Sequence, residues 1–418
     1  MFCLVGIVET VPRKEEQFSY AADFVEEHPD SDLSIALPVR LEPYPARQTR
    51  AFSSNLLPEG EALAAVSRAL EMRSTSYLQI LNALGSECVG AVKVKSENAD
   101  HGEAFGYDPL SREELALGVR DSNSEMALLQ IGSRLSLAGA QSKVGLYVER
   151  VENSFSYYVP RGGSASTHIV KSNNRQFEAL TENEYCCLKL AEVCGLKVPR
   201  AFIDILADDA PALVIERFDR EIEDTSCGEG VYLAVRRKHQ EDFCQALGKL
   251  PNQKYETSGQ SYAKQVRDIL FRRSSDPVGD SSALVKALIF NVVIGNCDAH
   301  LKNYSLLKTN DWAHCSLAPF YDLVSTVVYE GLDRRMAMRI GSANKVDDVV
   351  YSDLLLLAQE LGHDKALVQT AFEEIAQGVC EYLKDIVGEA EEVFSVSSNK
   401  LQRLVRFANK QVDRLMLG

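Results

Sequence analysis

Apolar residues recur at helical spacing over residues 282–294, with Ala283, Leu284, Ala287, Leu288, Phe290 and Ile294 followed at once by Gly295-Asn296. That period, closed by a glycine, predicts a buried helix that delivers the polar residues behind it into a loop. Alternation takes over next. Tyr304-Ser305-Leu306-Leu307, a polar turn at residues 308–311 and Cys315-Ser316-Leu317-Ala318-Pro319 predict a hairpin. Upstream, Thr167-His168-Ile169-Val170-Lys171 predicts a short strand. Asn183-Glu184-Tyr185 opens an apolar-periodic helix that runs to Cys194, before Gly195 and Pro199 stop it. Ala212-Leu213-Val214-Ile215-Glu216 predicts a buried strand running into the polar segment Arg217 to Arg220. Beyond Tyr351 the pattern is almost entirely helical, with Ser352 placed to cap residues 354–361. Leu401, Leu404, Val405, Ala408, Val412, Leu415 and Met416 form a stripe that reads as core.

The loop behind the apolar helix carries Asp298-Ala299-His300-Leu301-Lys302-Asn303, and the hairpin returns Tyr321-Asp322-Leu323 toward the same edge. An Asp, an Asn five positions later and a second Asp downstream repeat the catalytic-loop and metal-binding order of protein kinases. In that order Asp298 accepts the proton of a substrate hydroxyl, while Asn303 and Asp322 hold magnesium against the ATP phosphates. A lone loop Asp is ordinarily a turn cap; the spacing of the three carries the argument. Residues 134–148 place Ala138, Gly139 and Ala140 in a loop before an alternating strand, where backbone amides can approach phosphate oxygens. Lys171 and Glu184 suit the ion pair that orients a phosphate-binding lysine. Taken alone they equally suit an exposed strand-end Lys and a helix-start Glu favoured by the helix dipole. The backbone at Glu216 to Phe218 is where adenine bonds if this strand is a hinge.

The ordered set resembles the HipA-type serine/threonine kinases, toxins of bacterial type II toxin-antitoxin modules. The resemblance rests on Ser136-Leu137-Ala138-Gly139-Ala140-Gln141-Ser142-Lys143, Thr167 to Lys171, Asn183-Glu184-Tyr185, Glu216-Arg217-Phe218-Asp219-Arg220, Asp298 to Asn303 and Tyr321-Asp322. Leu33 to Pro38, Phe52 with Asn55-Leu56-Leu57-Pro58, and Cys88-Val89-Gly90-Ala91-Val92 look like the small domain that precedes the kinase lobes. It implies an α+β, two-lobed protein-kinase-like fold. The organisation inferred is an N-terminal α/β domain over 1–110, a kinase N-lobe over 111–216 and a mainly helical C-lobe over 217–418, with the polar, glycine-containing residues 96–106 as the linker.

Residue by residue, the resemblance implies that Asp298 is the catalytic base, that Asn303 and Asp322 bind magnesium, and that Lys171 contacts ATP phosphates. It also implies that Glu216 and Phe218 frame the adenine, that His300 lies beside the nucleotide and that Ala138, Gly139 and Ala140 cover the phosphates. Ser136 matches a serine whose autophosphorylation switches members of the family off, and about two added negative charges there repel ATP phosphates. Without the resemblance, Ser136 reads as a solvated loop serine and His300 as a hydrogen-bonded structural histidine. The implied partners are a helix-turn-helix antitoxin of the HipB type, DNA only through that antitoxin, and a protein substrate such as an aminoacyl-tRNA synthetase. Two other classes fit the same residues: a catalytically weak co-repressor subunit, against which the intact polar positions argue, and a small-molecule kinase. A glycine-poor phosphate loop, Cys297 rather than Arg before Asp298, and Tyr-Asp-Leu in place of Asp-Phe-Gly exclude a conventional eukaryotic-type kinase. The segment from Tyr255 to Tyr262 lacks the multi-glycine, proline-containing run expected after the tyrosine, which sets the substrate-side cleft apart.

Composition narrows the partners further. At 418 residues and a net charge of −15, the chain has room for two or three cores and lacks the positive surface needed to wrap DNA alone. The clusters Arg47-Gln48-Thr49-Arg50 and Arg236-Arg237-Lys238 read as solvated turns. Ten cysteines without paired CxxC spacing, among them Cys187, Cys194 and Cys244 on apolar helix faces, read as reduced core residues. No apolar run approaches a membrane span and the first six residues have no basic flank, so the expectation is a cytoplasmic protein with no membrane partner.

Overall fold

Alternation along the strand Lys143–Val151 sends Val144, Leu146 and Val148 to one face, where they are buried with Phe155, Tyr157, Val170, Ala212 and Val214 under Leu115, Ala116 and Val119 of the helix Arg112–Arg120. The opposite face presents Leu213 and Ile215 to the helix Leu180–Val193. This computed structural model describes residues 3–10, 16–97, 105–120, 143–151, 154–173, 177–223, 234–310, 312, 314–394 and 398–417. The sheet is antiparallel and six-stranded, in the spatial order Gly106–Leu110, Ser154–Arg161, Lys143–Val151, His168–Ser172, Pro211–Glu216, Ala201–Ile205. Its register sets Lys143 opposite Lys171. Gly106–Leu110, which the sequence assigns to the N-terminal domain, is therefore an edge strand of the N-lobe sheet.

The C-lobe is helical and forms around Pro277–Ile294, which packs against Tyr262–Arg273, Lys365–Val393 and Asn399–Leu417. Pro277 sits in the first turn and the Asp276 carboxylate accepts from Gly279 N–H at 3.0 Å, satisfying one of the orphan donors there. By length and hydropathy this helix is apolar enough to cross a bilayer, contrary to the expectation that no segment approaches that length. Its C-terminal part, residues 287–294, is instead buried by neighbours all round, and that is why it is almost wholly apolar there, while Val278 in the first turn is exposed. Ser352 does not cap Tyr351–Glu360; the Asp353 carboxylate does so, accepting from Val350 N–H at 3.1 Å. In the last helix Leu401, Leu404, Ala408, Val412 and Leu415 are buried as expected, but Met416 points outward.

The N-terminal domain is the hairpin Gly6–Thr10/Glu16–Tyr20 and short helices around a core of Phe18, Tyr20, Tyr44, Phe52, Leu56, Ile80 and Leu84. Polar seams join it to the two lobes. Glu87 accepts from Arg217 at 3.2 Å and Arg220 at 2.9 Å and also pairs with Arg237, while Asp219 receives Arg217 at 2.7 Å and Gly90 N–H at 2.7 Å. This corrects the reading of Arg236-Arg237-Lys238 as a solvated turn. The three end in and follow the strand Ala234–Arg237, whose alternation turns Arg236 outward to Glu221 at 2.7 Å and Arg237 inward to Glu87.

A second seam gives a stability prediction. Glu241 is buried and accepts from Ser34 Oγ at 2.6 Å and Ile35 N–H at 3.0 Å. Burial pushes its carboxyl up to about 7 against the pull of those donors. A raised carboxyl stabilises the fold most below its unfolded value, and that contribution is lost as pH rises through the folded one. Thermal melts at about pH 5 and about pH 8 should show the wild type losing about 1–2 kcal/mol more than Glu241→Gln, which carries no titrating group. Equal losses in the two proteins reject the assignment.

Candidate active site

The apolar helix ends at Gly295 with φ 71°, and a Cβ there would meet Val327 Cγ2 at 2.4 Å, so only glycine turns the chain into the following loop. The loop is then tied internally. Asn296 accepts from Asp298 N–H at 3.1 Å and donates to the Asp322 carbonyl at 3.4 Å, coupling the two acidic segments. Asp298 O accepts from His300 N–H at 2.8 Å and from Asn303 Nδ2 at 3.4 Å, and Asn303 N–H donates to His300 O at 2.9 Å. Because its amide nitrogen faces Asp298, the Asn303 oxygen is left as the acceptor end. Asp298 itself is exposed while its neighbours in the loop are buried. A carboxylate in that position is accessible to an incoming hydroxyl.

Asp322 lies in the left-handed region at φ 54°, an uncommon conformation for a residue with a side chain. Lys171 Nζ meets Glu184 Oε1 at 2.6 Å and also pairs with Asp322. The ion pair considered from sequence is therefore formed, and the exposed strand-end alternative is not. Burial opposes the Lys171 charge, but Asp322 and Glu184 outweigh it and hold the ammonium above the ordinary lysine range. Burial likewise opposes ionisation of Asp322, and Lys171 and Lys143 overcome it, keeping the carboxyl well below the usual range. Both groups are charged at neutral pH.

The hinge candidate is joined to this cluster by aromatic contact. Phe218 stacks on Tyr321 with centroids 5.7 Å apart, and the Tyr321 hydroxyl donates to Lys302 O at 2.8 Å. The amides of Glu216 and Arg217 are used within the sheet, donating to Arg200 O and Thr167 O, each at 2.9 Å. Half-buried Glu216 has its carboxyl raised by burial. His300 is buried, and burial pushes its imidazole down to about 4, so it is neutral at pH 7. Its ring meets the edge of Tyr255 at 5.4 Å.

Asp298, His300, Asn303, Asp322 and Lys171 thus converge, with Phe218 joined through Tyr321. Ser136, Ala138, Gly139 and Ala140 fall outside the described residues. Three features were not assigned from sequence. Lys143, opposite Lys171 in register, is buried, and burial lowers its ammonium while Asp322 favours it; the strand alternation before Val144 was the available signal. Tyr255 donates to Asp298 Oδ1 at 2.7 Å. Lys302 is buried and binds Asn55 and Asp242. Nothing in the local pattern separates these last two from ordinary polar residues.

Asp322 and Asn303 supply two hard oxygen donors, the kind of incomplete set that magnesium accepts when substrate phosphates and water fill the remaining positions. Among the described residues no group of three or more His, Cys, Asp or Glu could hold a metal. The donor set suits a metal shared with a nucleotide.

Family comparison agrees with this geometry. The model of the HipA-like C-terminal domain matches residues 135–383 and that of the HipA N-terminal domain matches residues 3–95. The chain belongs to the HipA family. It is 34% identical over 410 residues to Y4mE of Sinorhizobium fredii, a protein named as a kinase, covering 96% of this chain and 92% of that one. The serine/threonine-protein kinase toxin HipA of Shewanella oneidensis is 29% identical over 355 residues, with coverage of 82% and 78%. A solved complex of the Shewanella oneidensis HipA with HipB and operator DNA is similar across 98% of this chain and 93% of that one, at 25% identity and a TM-score of 0.78. The HipA architecture is the two-lobed α+β kinase-like fold described above.

Proposed function

We propose that this HipA-family chain is an ATP- and magnesium-dependent serine/threonine protein kinase, the toxin of a toxin-antitoxin module, acting in the cytoplasm. The observation that carries the reading is the meeting of Lys171, Glu184 and Asp322 beside the loop that holds Asp298 and Asn303. In the proposed reaction Lys171 holds ATP phosphates, and Asn303 and Asp322 hold magnesium. When bound, the metal neutralises charge on the phosphates. Glu216 and Phe218 frame the adenine, with neutral His300 beside the nucleotide. Asp298 takes the proton of the acceptor hydroxyl as its oxygen attacks the γ-phosphorus and the bond to ADP breaks. Ala138, Gly139 and Ala140 cover the phosphates, and Ser136 in the same loop is the autophosphorylation site that switches the enzyme off by charge repulsion.

The HipA and HipB names in the solved complex support a small helix-turn-helix partner of the HipB type, through which DNA is reached. A net charge of −15 suits a basic partner better than direct contact with nucleic acid. The proposed target is a translation component such as an aminoacyl-tRNA synthetase. Expression of this chain alone should slow bacterial growth, and co-expression of a HipB-type protein encoded beside it should restore growth. Harmless expression of an enzyme shown to transfer phosphate would reject the toxin reading and favour a small-molecule kinase.

A further inference from the structure

Asp298 is an exposed side chain on an otherwise buried loop, and a general base is effective only when its oxygen is held at hydrogen-bonding distance from the proton it removes. One of its two oxygens is already held. Tyr255 donates to Oδ1 at 2.7 Å, and the phenol stays protonated because burial and then the neighbouring Asp298 charge both raise it. The tyrosine is 45% exposed, so its ring adds little to the core, and its hydroxyl points to the carboxylate.

The segment that carries Tyr255 is stitched to the catalytic loop on one side and to the strand Arg335–Ile340 on the other. Lys254 O accepts from Leu301 N–H at 3.3 Å, and Glu256 N–H donates to Ala337 O at 2.8 Å. From the N-terminal domain, Glu59 meets Lys254 at 2.8 Å and Lys302 at 3.5 Å, so one carboxylate bridges the Tyr255 segment and the residue before Asn303. Asn55 adds its backbone oxygen at 3.0 Å and its side-chain oxygen at 2.8 Å to Lys302. The Lys254 ammonium in turn lies 5.4 Å from the Tyr255 ring centre.

We propose that Tyr255 is the positioning residue for Asp298, fixing Oδ1 so that Oδ2 faces the acceptor hydroxyl, and that Glu59 of the N-terminal domain holds Tyr255 in place through Lys254. The N-terminal domain is then part of the catalytic apparatus. The inference rests on Asp298 acting as the base of a kinase.

The test uses the full chain and Mg-ATP, following ADP release and phosphate incorporated into the protein. Tyr255→Phe, which removes one hydrogen bond to a charged group, should lower turnover about tenfold while the KM for ATP changes less than about twofold. Glu59→Gln should lower turnover in the same direction by about threefold, and the double variant should be no slower than Tyr255→Phe, as expected for two residues acting through one contact. Thermal midpoints close to that of the wild type separate this outcome from a folding defect. Tyr255→Phe turning over as fast as the wild type, or faster because the phenol had blocked the acceptor position, overturns the proposal and leaves the kinase reading standing. So does a fall in turnover that comes wholly through the KM for ATP. A wild-type chain that neither releases ADP nor gains phosphate rejects the kinase reading and this inference with it.

Discussion

Asp298→Ala should lose phosphoryl transfer by at least about a hundredfold while binding ATP within about twofold of the wild type, because a general base acts in the transition state and contributes little to holding the nucleotide. The structure favours a clean result. The Asp298 backbone, not its side chain, bonds to Asn296, His300 and Asn303, so alanine leaves the loop's internal hydrogen bonds in place. What alanine removes is the carboxylate that accepts from the Tyr255 hydroxyl, and that phenol is left facing solvent. After incubation with Mg-ATP, intact-mass measurement should show one added phosphate on the wild type, mapped to Ser136, and none on the variant. Turnover in the variant equal to the wild type's removes Asp298 from the mechanism. Robust activity on a target with Ser136 unmodified rejects autoinhibition alone.

What the sequence disclosed, and what it did not, follows from the range over which each feature is determined. The helix ending at Ile294, the hairpin of Ser305–Lys308 with Cys315–Leu317 and the strand His168–Ser172 are local patterns, fixed by apolar period and a glycine stop, and they formed where expected. The Lys171 and Glu184 pair was legible as a possibility because a strand end and the following helix are close in sequence. Arg237 was misread because its partner, Glu87, lies in another domain, and a run of basic residues looks solvated until a distant carboxylate is placed against one of them. The same reason hid Lys302, whose partners Asn55 and Glu59 come from the N-terminal domain; the Tyr255 hydrogen bond to Asp298 lies within the C-lobe but joins residues 43 positions apart, beyond the reach of a local pattern. Gly106–Leu110 was assigned across the wrong boundary because an edge strand's membership is set by its hydrogen-bonded neighbour Ser154–Arg161, not by its own residues.

Asp322→Ala is expected to lose at least about a hundredfold in phosphoryl transfer and, unlike Asp298→Ala, to lose the magnesium dependence of ATP binding as well. In the structure Asp322 pairs with Lys171; on the proposed reading, Asp322 would hold the magnesium and Lys171 would meet the phosphates when a metal-nucleotide binds. Removing the carboxylate leaves Lys171 with Glu184 at 2.6 Å, so the lysine is not stranded and the fold should persist. Asp322→Asn separates charge from backbone conformation, because asparagine tolerates the left-handed region at φ 54° as well as aspartate does while offering only a neutral oxygen to a cation. Calorimetric titration of ATP with and without magnesium should show metal-strengthened binding for the wild type, none for Asp322→Ala, and for Asp322→Asn a dependence weakened toward that of the alanine variant. Wild-type turnover with intact magnesium dependence in Asp322→Ala would place the metal elsewhere and remove the principal support for reading Asp298, Asn303 and Asp322 as one phosphoryl-transfer set.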